Sequence, residues 1–150
     1  MPFALESLTK GLAILGQIIP ATLNNTSANV TDIDIAKVRR LMAIVSVGAV
    51  TGGGSLVGKL QASKTAGGSY TDITGGALTA ITAGSKIATI EVRDDELESI
   101  VGAGYRYVKL VLTEGGSQNV VCGAVVLGGE AEYKPAGAYD IAAAIQRLVI

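Results

Sequence analysis

The sequence predicts a mainly β protein: an antiparallel β-sandwich, jelly-roll-like, with an N-terminal arm or short helix and a C-terminal arm or short helix. Three observations lead there. Between Arg40 and Leu127, segments rich in Val and Ile recur at short intervals. Clusters of Gly, Ser and Thr cut these segments apart, as at 51–55 and 65–69. Several of the segments alternate apolar with polar residues, the period of a strand with one wet face.

The elements follow in order. In residues 1–20 the spacing of Leu5, Leu8, Leu12, Leu15 and Ile19 is that of a helical stripe, but Gly11 and Gly16 weaken a helix there and Pro20 stops it. This stretch is expected to be a helix or an arm, its apolar side chains covered by the domain or by a neighbouring copy. A polar stretch, 24–32, is read as a turn. Strands are expected at 41–50, apolar on both faces and therefore central and covered on each side, and at 56–63, with Gln61 and Lys59 on a wet face. A short strand or edge is placed at 70–73 and another strand at 88–93. The acidic run Asp94, Asp95, Glu96 and Glu98 suits a helix start.

The cleanest strand is 105–113, with Val108, Leu110 and Leu112 on its core face. The turn at 114–117 and the apolar run 119–127 suggest that these last two strands form a hairpin. From Gly128 the composition turns polar around Pro135. Tyr139, Ile141, Ile145, Leu148 and Ile150 then mark a greasy C-terminal arm or short helix, with Ile141, Ile145 and Leu148 on one helical face. The organisation expected is an arm and first turn at 1–32, a sandwich core at 33–127, and an arm or helix at 128–150.

Composition narrows the function. Hydrophobic residues make up 49% of the 150 and charged residues only 17%, against about 25% charged in an average soluble domain. That surface is expected to meet another chain. The net charge of −1 and the dispersed basic residues argue against nucleic acid. The apolar run at 11–20 is too short to cross a bilayer and has no basic leader, so neither a membrane span nor a signal peptide is expected. There is no histidine, and no catalytic, cofactor-binding or metal-ligating set is recognisable, so the chain is not expected to be an enzyme. Cys122, in an apolar run, reads as a buried structural thiol.

Three motifs tempt a sharper reading. Gly53 to Lys59 has the G-x-x-x-x-G-K spacing of a phosphate loop, but Leu60 replaces the hydroxyl residue and a strand follows instead of a helix. It reads as a glycine-rich hairpin turn. The carboxylates at 94–98 lack the spacing of a calcium loop. Tyr105 and Tyr107 share a strand face with Lys109 and could, with Tyr70, form an aromatic platform for a sugar or a partner, although cross-strand packing is the commoner use.

Lys59, Leu60, Gln61, Ala62 and Ser63, then Ser69, Tyr70, Thr71, Asp72 and Ile73, and later Tyr105, Arg106, Tyr107, Val108, Lys109 and Leu110, resemble the strand motifs of small tailed-phage and prophage virion proteins. The resemblance covers about 33–127. It implies a head decoration or cement protein that binds the assembled shell, with the major capsid protein and copies of itself as partners, a trimer favoured. It also implies residence on the capsid surface after synthesis in the bacterial cytoplasm. The partner-binding residues would be Leu5, Leu8, Leu12, Leu15 and Ile19 in one arm and Tyr139, Ile141, Ile145, Leu148 and Ile150 in the other. The alternatives are a tail-tube, head-completion or other virion protein, or a carbohydrate-binding jelly-roll domain of a fibre or adhesin.

Overall fold

A computed structural model describes residues 7–133, 135–146 and 148. A single helical turn, α1 (Leu8–Gly11), leads into eight strands: β1 (Leu12–Leu23), β2 (Ser27–Asp34), β3 (Val38–Val50), β4 (Ser55–Ser63), β5 (Thr71–Ala77), β6 (Lys86–Arg93), β7 (Tyr107–Gly115) and β8 (Val120–Ala131). A helix, α2 (Asp94–Val101), sits between β6 and β7. The strands form two four-stranded antiparallel sheets, ordered β1-β8-β3-β6 and β2-β7-β4-β5. Strand pairs are nested: β1 with β8, β2 with β7, β3 with β6 and β4 with β5. The chain is thus one long antiparallel ribbon rolled into a jelly roll, as its sequence predicts.

Alternation decides what each strand buries. In β7, Val108, Leu110 and Leu112 point into the core; in β3, Leu41, Ala43, Val45 and Val47 do so, and in β8, Val120, Cys122 and Val126. Two inner faces rich in branched side chains interdigitate to close the sandwich. At Gly128 on β8 a Cβ would stand 2.6 Å from Leu15 Cδ1 and 2.7 Å from Val38 Cγ1, so only glycine lets those two side chains fill the core there. Helix α2 is opened by acidic residues, with the Arg93 backbone N–H donating to Glu96 Oε2. Its Leu97, fully buried, pins it to the core.

Several sequence expectations change. Residues 12–23 are neither arm nor helix but edge strand β1, and the polar stretch after it is mostly β2, so the sandwich begins well before residue 33. Two β-bulges in β1, at 14/16 and 18/21, break the period of two. Inward residues therefore fall at Ala13, Leu15, Ile18 and Leu23, so of the apparent helical stripe Leu8, Leu12, Leu15 and Ile19 only Leu15 enters the core. Of the arm or short helix expected at 128–150, β8 takes the start, to Ala131, and the described residues beyond it form an arm: a 3-10 turn, Ala136–Tyr139, then irregular chain over 140–146. β7 and β8 are not a hairpin: they lie in different sheets, and the turn at 116–119 crosses between them. The glycine loop before Lys59 likewise joins β3 to β4 across the two sheets. Lastly, β3 is central in its sheet but covered on one side only. Its Met42, Ile44 and Ser46 face outward.

Candidate interaction surfaces

The outer face of the β1-β8-β3-β6 sheet is apolar. Cross-strand register places Ile14, Leu127, Met42 and Glu91 in one row, Gln17, Val125, Ile44 and Thr89 in the next, then Gly123, Ser46 and Ile87. Ile87 is 73% exposed. Among the described residues, charge enters this face at one end, where Arg40 pairs with Glu91 at 3.8 Å and Glu130 at 3.1 Å. In its middle lies a hollow of about 460 Å³, floored by Gly123 and Ser46 and walled by Pro20, Ile44, Val121 and Val125. Pro20 reaches this position through the second β1 bulge; its ring closes over Gly123, where a Cβ would lie 3.1 Å away.

The terminal segments meet beside this face. Asp140 Oδ1 accepts from Ile14 N–H at 2.7 Å and Ile141 N–H donates to the Ile14 carbonyl at 2.9 Å, fastening the C-terminal segment to the edge of β1. Leu8, Leu12, Ile14, Leu127 and Leu148 line an apolar groove of about 240 Å³. Leu8 is 78%, Leu148 77% and Ile145 93% exposed. Of the residues expected to touch a partner, Leu15 is instead a core residue, and Tyr139 packs against the core. Leu12 and Ile141 are half-buried and Ile19 is exposed on the bulge. Leu5 and Ile150 lie outside the described residues.

The opposite outer face, on β2-β7-β4-β5, is polar and internally paired. Lys59 bridges to Asp72 at 2.9 Å, and Gln61 donates to the same carboxylate at 2.6 Å. Arg106 grips Asp34 with two hydrogen bonds, 2.8 and 2.7 Å, which holds the Asp34 carboxyl below its ordinary range and raises the guanidinium. At the β2 bulge Asp32, with φ of 59°, accepts from the Tyr70 hydroxyl at 2.6 Å and the Gly67 N–H at 2.8 Å. Those bonds lower the Asp32 pKa; burial, then the bond to Asp32, pushes the Tyr70 phenol up to about 12.

The three tyrosines singled out in the sequence lie toward this end of the molecule, each ring with a cation over it: Lys109 at Tyr70, Arg106 at Tyr107 and Lys64 at Tyr105, at 5.2–5.5 Å. Tyr105 precedes β7 and packs partly on the core. Beside it, a cleft of about 430 Å³ is lined by Asp94, Asp95, Glu98, Tyr105 and Arg106. Two of its carboxylates are engaged: Asp94 caps the Asp95 N–H, and Asp95 is paired with Arg93.

Sequence reasoning missed one buried carboxylate. Glu114, 2% exposed, accepts from the backbone N–H groups of Asn25 and Gln118 and so ties the β1–β2 turn to the β7–β8 turn. Its place on the inward period of β7, after Val108, Leu110 and Leu112, was the available signal. Cys122 is buried, and burial pushes its thiol up.

No family model and no curated protein sequence matches the chain. Among solved structures it is similar to a Bacillus endospore appendage pilus protein (14% identity, TM-score 0.42, covering 85% of this chain and 98% of that one). It is also similar to the enzymatically active domain of bacteriophage CBA120 tailspike protein 4 (13%, TM-score 0.42, covering 83% of this chain and 20% of that one). A third likeness is to a family 11 carbohydrate-binding module from Clostridium thermocellum (13%, TM-score 0.36, covering 89% of this chain and 96% of that one). At these scores and identities none of the three carries an inference about this chain.

Proposed function

We propose that the chain is a structural subunit of a tailed-phage virion, of the head decoration type, which binds the assembled shell and copies of itself. The observation that carries this reading is the convergence of both terminal segments on one apolar groove, with Leu8, Ile145 and Leu148 left largely uncovered. Apolar area of this kind contributes about 25 cal/mol per Å² once covered, and repeated over many copies even a weak contact becomes firm. The strand motifs at 59–63, 69–73 and 105–110 are consistent with the reading. The partner is then the major capsid protein, and the working location is the capsid surface after synthesis in the bacterial cytoplasm.

The test is binding to purified shells. Leu8→Asp and Leu148→Asp together, and separately a chain ending at residue 141, are expected to lose most shell binding while keeping the fold. Both changes spare the strands and the Asp140–Ile14 clasp. Undiminished binding by both forms would remove the terminal groove as the clamp.

A second reading rests on Tyr70, Tyr105 and Tyr107, which would serve a glycan-binding jelly-roll domain. The cations over the three rings occupy the surfaces on which a sugar would stack, which favours the structural role. A glycan array on which Tyr107→Ala abolishes hits found with the native chain would reverse that preference.

A further inference from the structure

We infer that the outer edge of β6 pairs, antiparallel, with the same edge of a second copy of this chain, about a two-fold axis that pierces the sheet beside Ile90. Two β1-β8-β3-β6 sheets then run on as one. This names a contact between copies for the reading above and rests on that reading for the need that copies meet.

The case starts from the four strands that end a sheet, β1, β6, β2 and β5. Three of them are spoiled for further pairing. β1 carries two bulges and Pro20, and both backbone groups of Ile14 are taken by Asp140 and Ile141. β2 is bulged between Val30 and Ile33, where Asp32 has φ of 59° and gives its N–H to the Tyr70 hydroxyl. β5 slips register against β4 beside Gly75 and Gly76. β6 differs: Lys86 to Arg93 face Val47 to Arg40 one for one, with no shift, no glycine and no proline.

The direction of its backbone groups follows from two bonds. Ser85 N–H donates to the Gly48 carbonyl, in register with the β3–β6 pairs, and Glu132 N–H donates to the Lys37 carbonyl on the other side of β3. Antiparallel pairs alternate between bonded and unbonded, so both bonds give one phase. Ile87, Thr89, Glu91 and Arg93 turn their N–H and C=O toward β3; Lys86, Ala88, Ile90 and Val92 turn theirs outward. No other described segment bonds to that outward row.

Charge selects the partner and the register. Antiparallel pairing sets the start of one strand against the end of the other, and β6 starts on a cation, Lys86, and runs into the acidic start of α2. With the axis at Ile90, Lys86 of each copy faces Asp94 of the other, Ala88 faces Val92, Thr89 faces Glu91 and Ile87 faces Arg93. No like charges stand directly opposite. An axis at Thr89 would set Lys86 against Val92, and one at Glu91 would set two carboxylates together. The contact is isologous, as a two-fold requires. It makes about six backbone hydrogen bonds along an edge of about 27 Å. A single edge of this length is a small interface, so the pair is weak and reversible in solution and filled where copies are crowded.

The test is sedimentation of the purified chain at concentrations up to about 100 µM. The native chain is expected to show a reversible monomer–dimer equilibrium. Ala88→Pro removes an outward N–H and leaves the bonds to β3 in place, so it should keep the native Tm and weaken pairing by at least about 10-fold. A second readout fixes the register. Thr89→Cys and Glu91→Cys, mixed in equal amounts under mild oxidant, should give a disulfide-linked dimer, their Cβ atoms facing at about 4.5–5.5 Å; Thr89→Cys alone should not, since its two copies stand diagonally. The buried Cys122 does not compete. A native monomer or trimer overturns the inference, as does a folded Ala88→Pro variant that pairs normally, or a mixture that links no better than Thr89→Cys alone. A monomer that still binds shells would remove the pairing and leave the decoration role. A dimer that ignores shells would do the reverse.

Discussion

The two outer faces of this sandwich are built from the same strand geometry and treat water in opposite ways. On the β2-β7-β4-β5 side, Lys59 and Gln61 share Asp72, Arg106 pairs with Asp34, Tyr70 with Asp32 and Thr113 with Ser27, while Lys109 lies over the Tyr70 ring. On the other side, outward positions hold Met42, Ile44, Val125, Leu127 and Ile87 with little to pair. A face meant for solvent spends its side chains on each other; a face meant for protein leaves them open. The contrast also separates stability from association, since the inner positions hold the fold and the apolar outer ones are free to serve contact.

The sharpest way to break that separation is to move one residue along β8. Val126→Asp, on the inner face, should leave the chain unfolded through a loss above about 4 kcal/mol, whereas Val125→Asp, on the outer face, should cost less than about 1 kcal/mol; urea midpoints compare them directly. Equal losses would mean that the outer face is already covered within the chain. Next in size is Glu114→Ala. It strips two backbone donors of their buried acceptor and should lower stability by about 2 kcal/mol, read as a shifted urea midpoint at constant slope.

On the polar face, Asp32→Asn should bring the Tyr70 phenol part of the way down from about 12, since burial, the larger cause, remains. Ultraviolet titration of phenolate checks this. The smallest effect is acidic. Asp32, Asp34 and Asp72 are held below their ordinary 3.8, so their contribution is fully present above that value and fades as pH falls through the lowered pKa values. Exposure and salt keep it small. Tm should be flat from pH 7 to about 5 and decline modestly below about 4, and the decline should shrink in Asp34→Asn.

The sequence revealed most where alternation was clean. β7, β4 and β6 were legible because a single inward set, such as Val108, Leu110 and Leu112, runs without interruption. β1 was not, because two bulges shift its inward set to Leu15, Ile18 and Leu23, which keeps no period of two, while leucines on both its faces, Leu12 and Leu15 with the exposed Ile19, fall at helical spacing by coincidence. β2 was hidden by its polarity: Ser27 and Asn29 face water, and only Ala28, Val30 and Ile33 reach the core. The expected hairpin between β7 and β8 failed for a topological reason, since a tight turn in a jelly roll can as readily switch sheets as reverse within one. Of the surfaces, the greasy termini were visible in the sequence, but Leu15 belonged to the core. The apolar sheet face was misread as burial because Ile44 and Val125 look like core residues when nothing shows which side the second sheet occupies.

The clasp of Asp140 and Ile141 on Ile14 has a consequence for how copies are kept from joining wrongly. An edge strand with free amides and carbonyls invites another molecule to continue the sheet, and the chain's own later segment stands in the way at that point. Removing residues 136–150 would therefore take away a stopper as well as a contact, and filaments growing from the bared strand are the failure to expect of such a truncation.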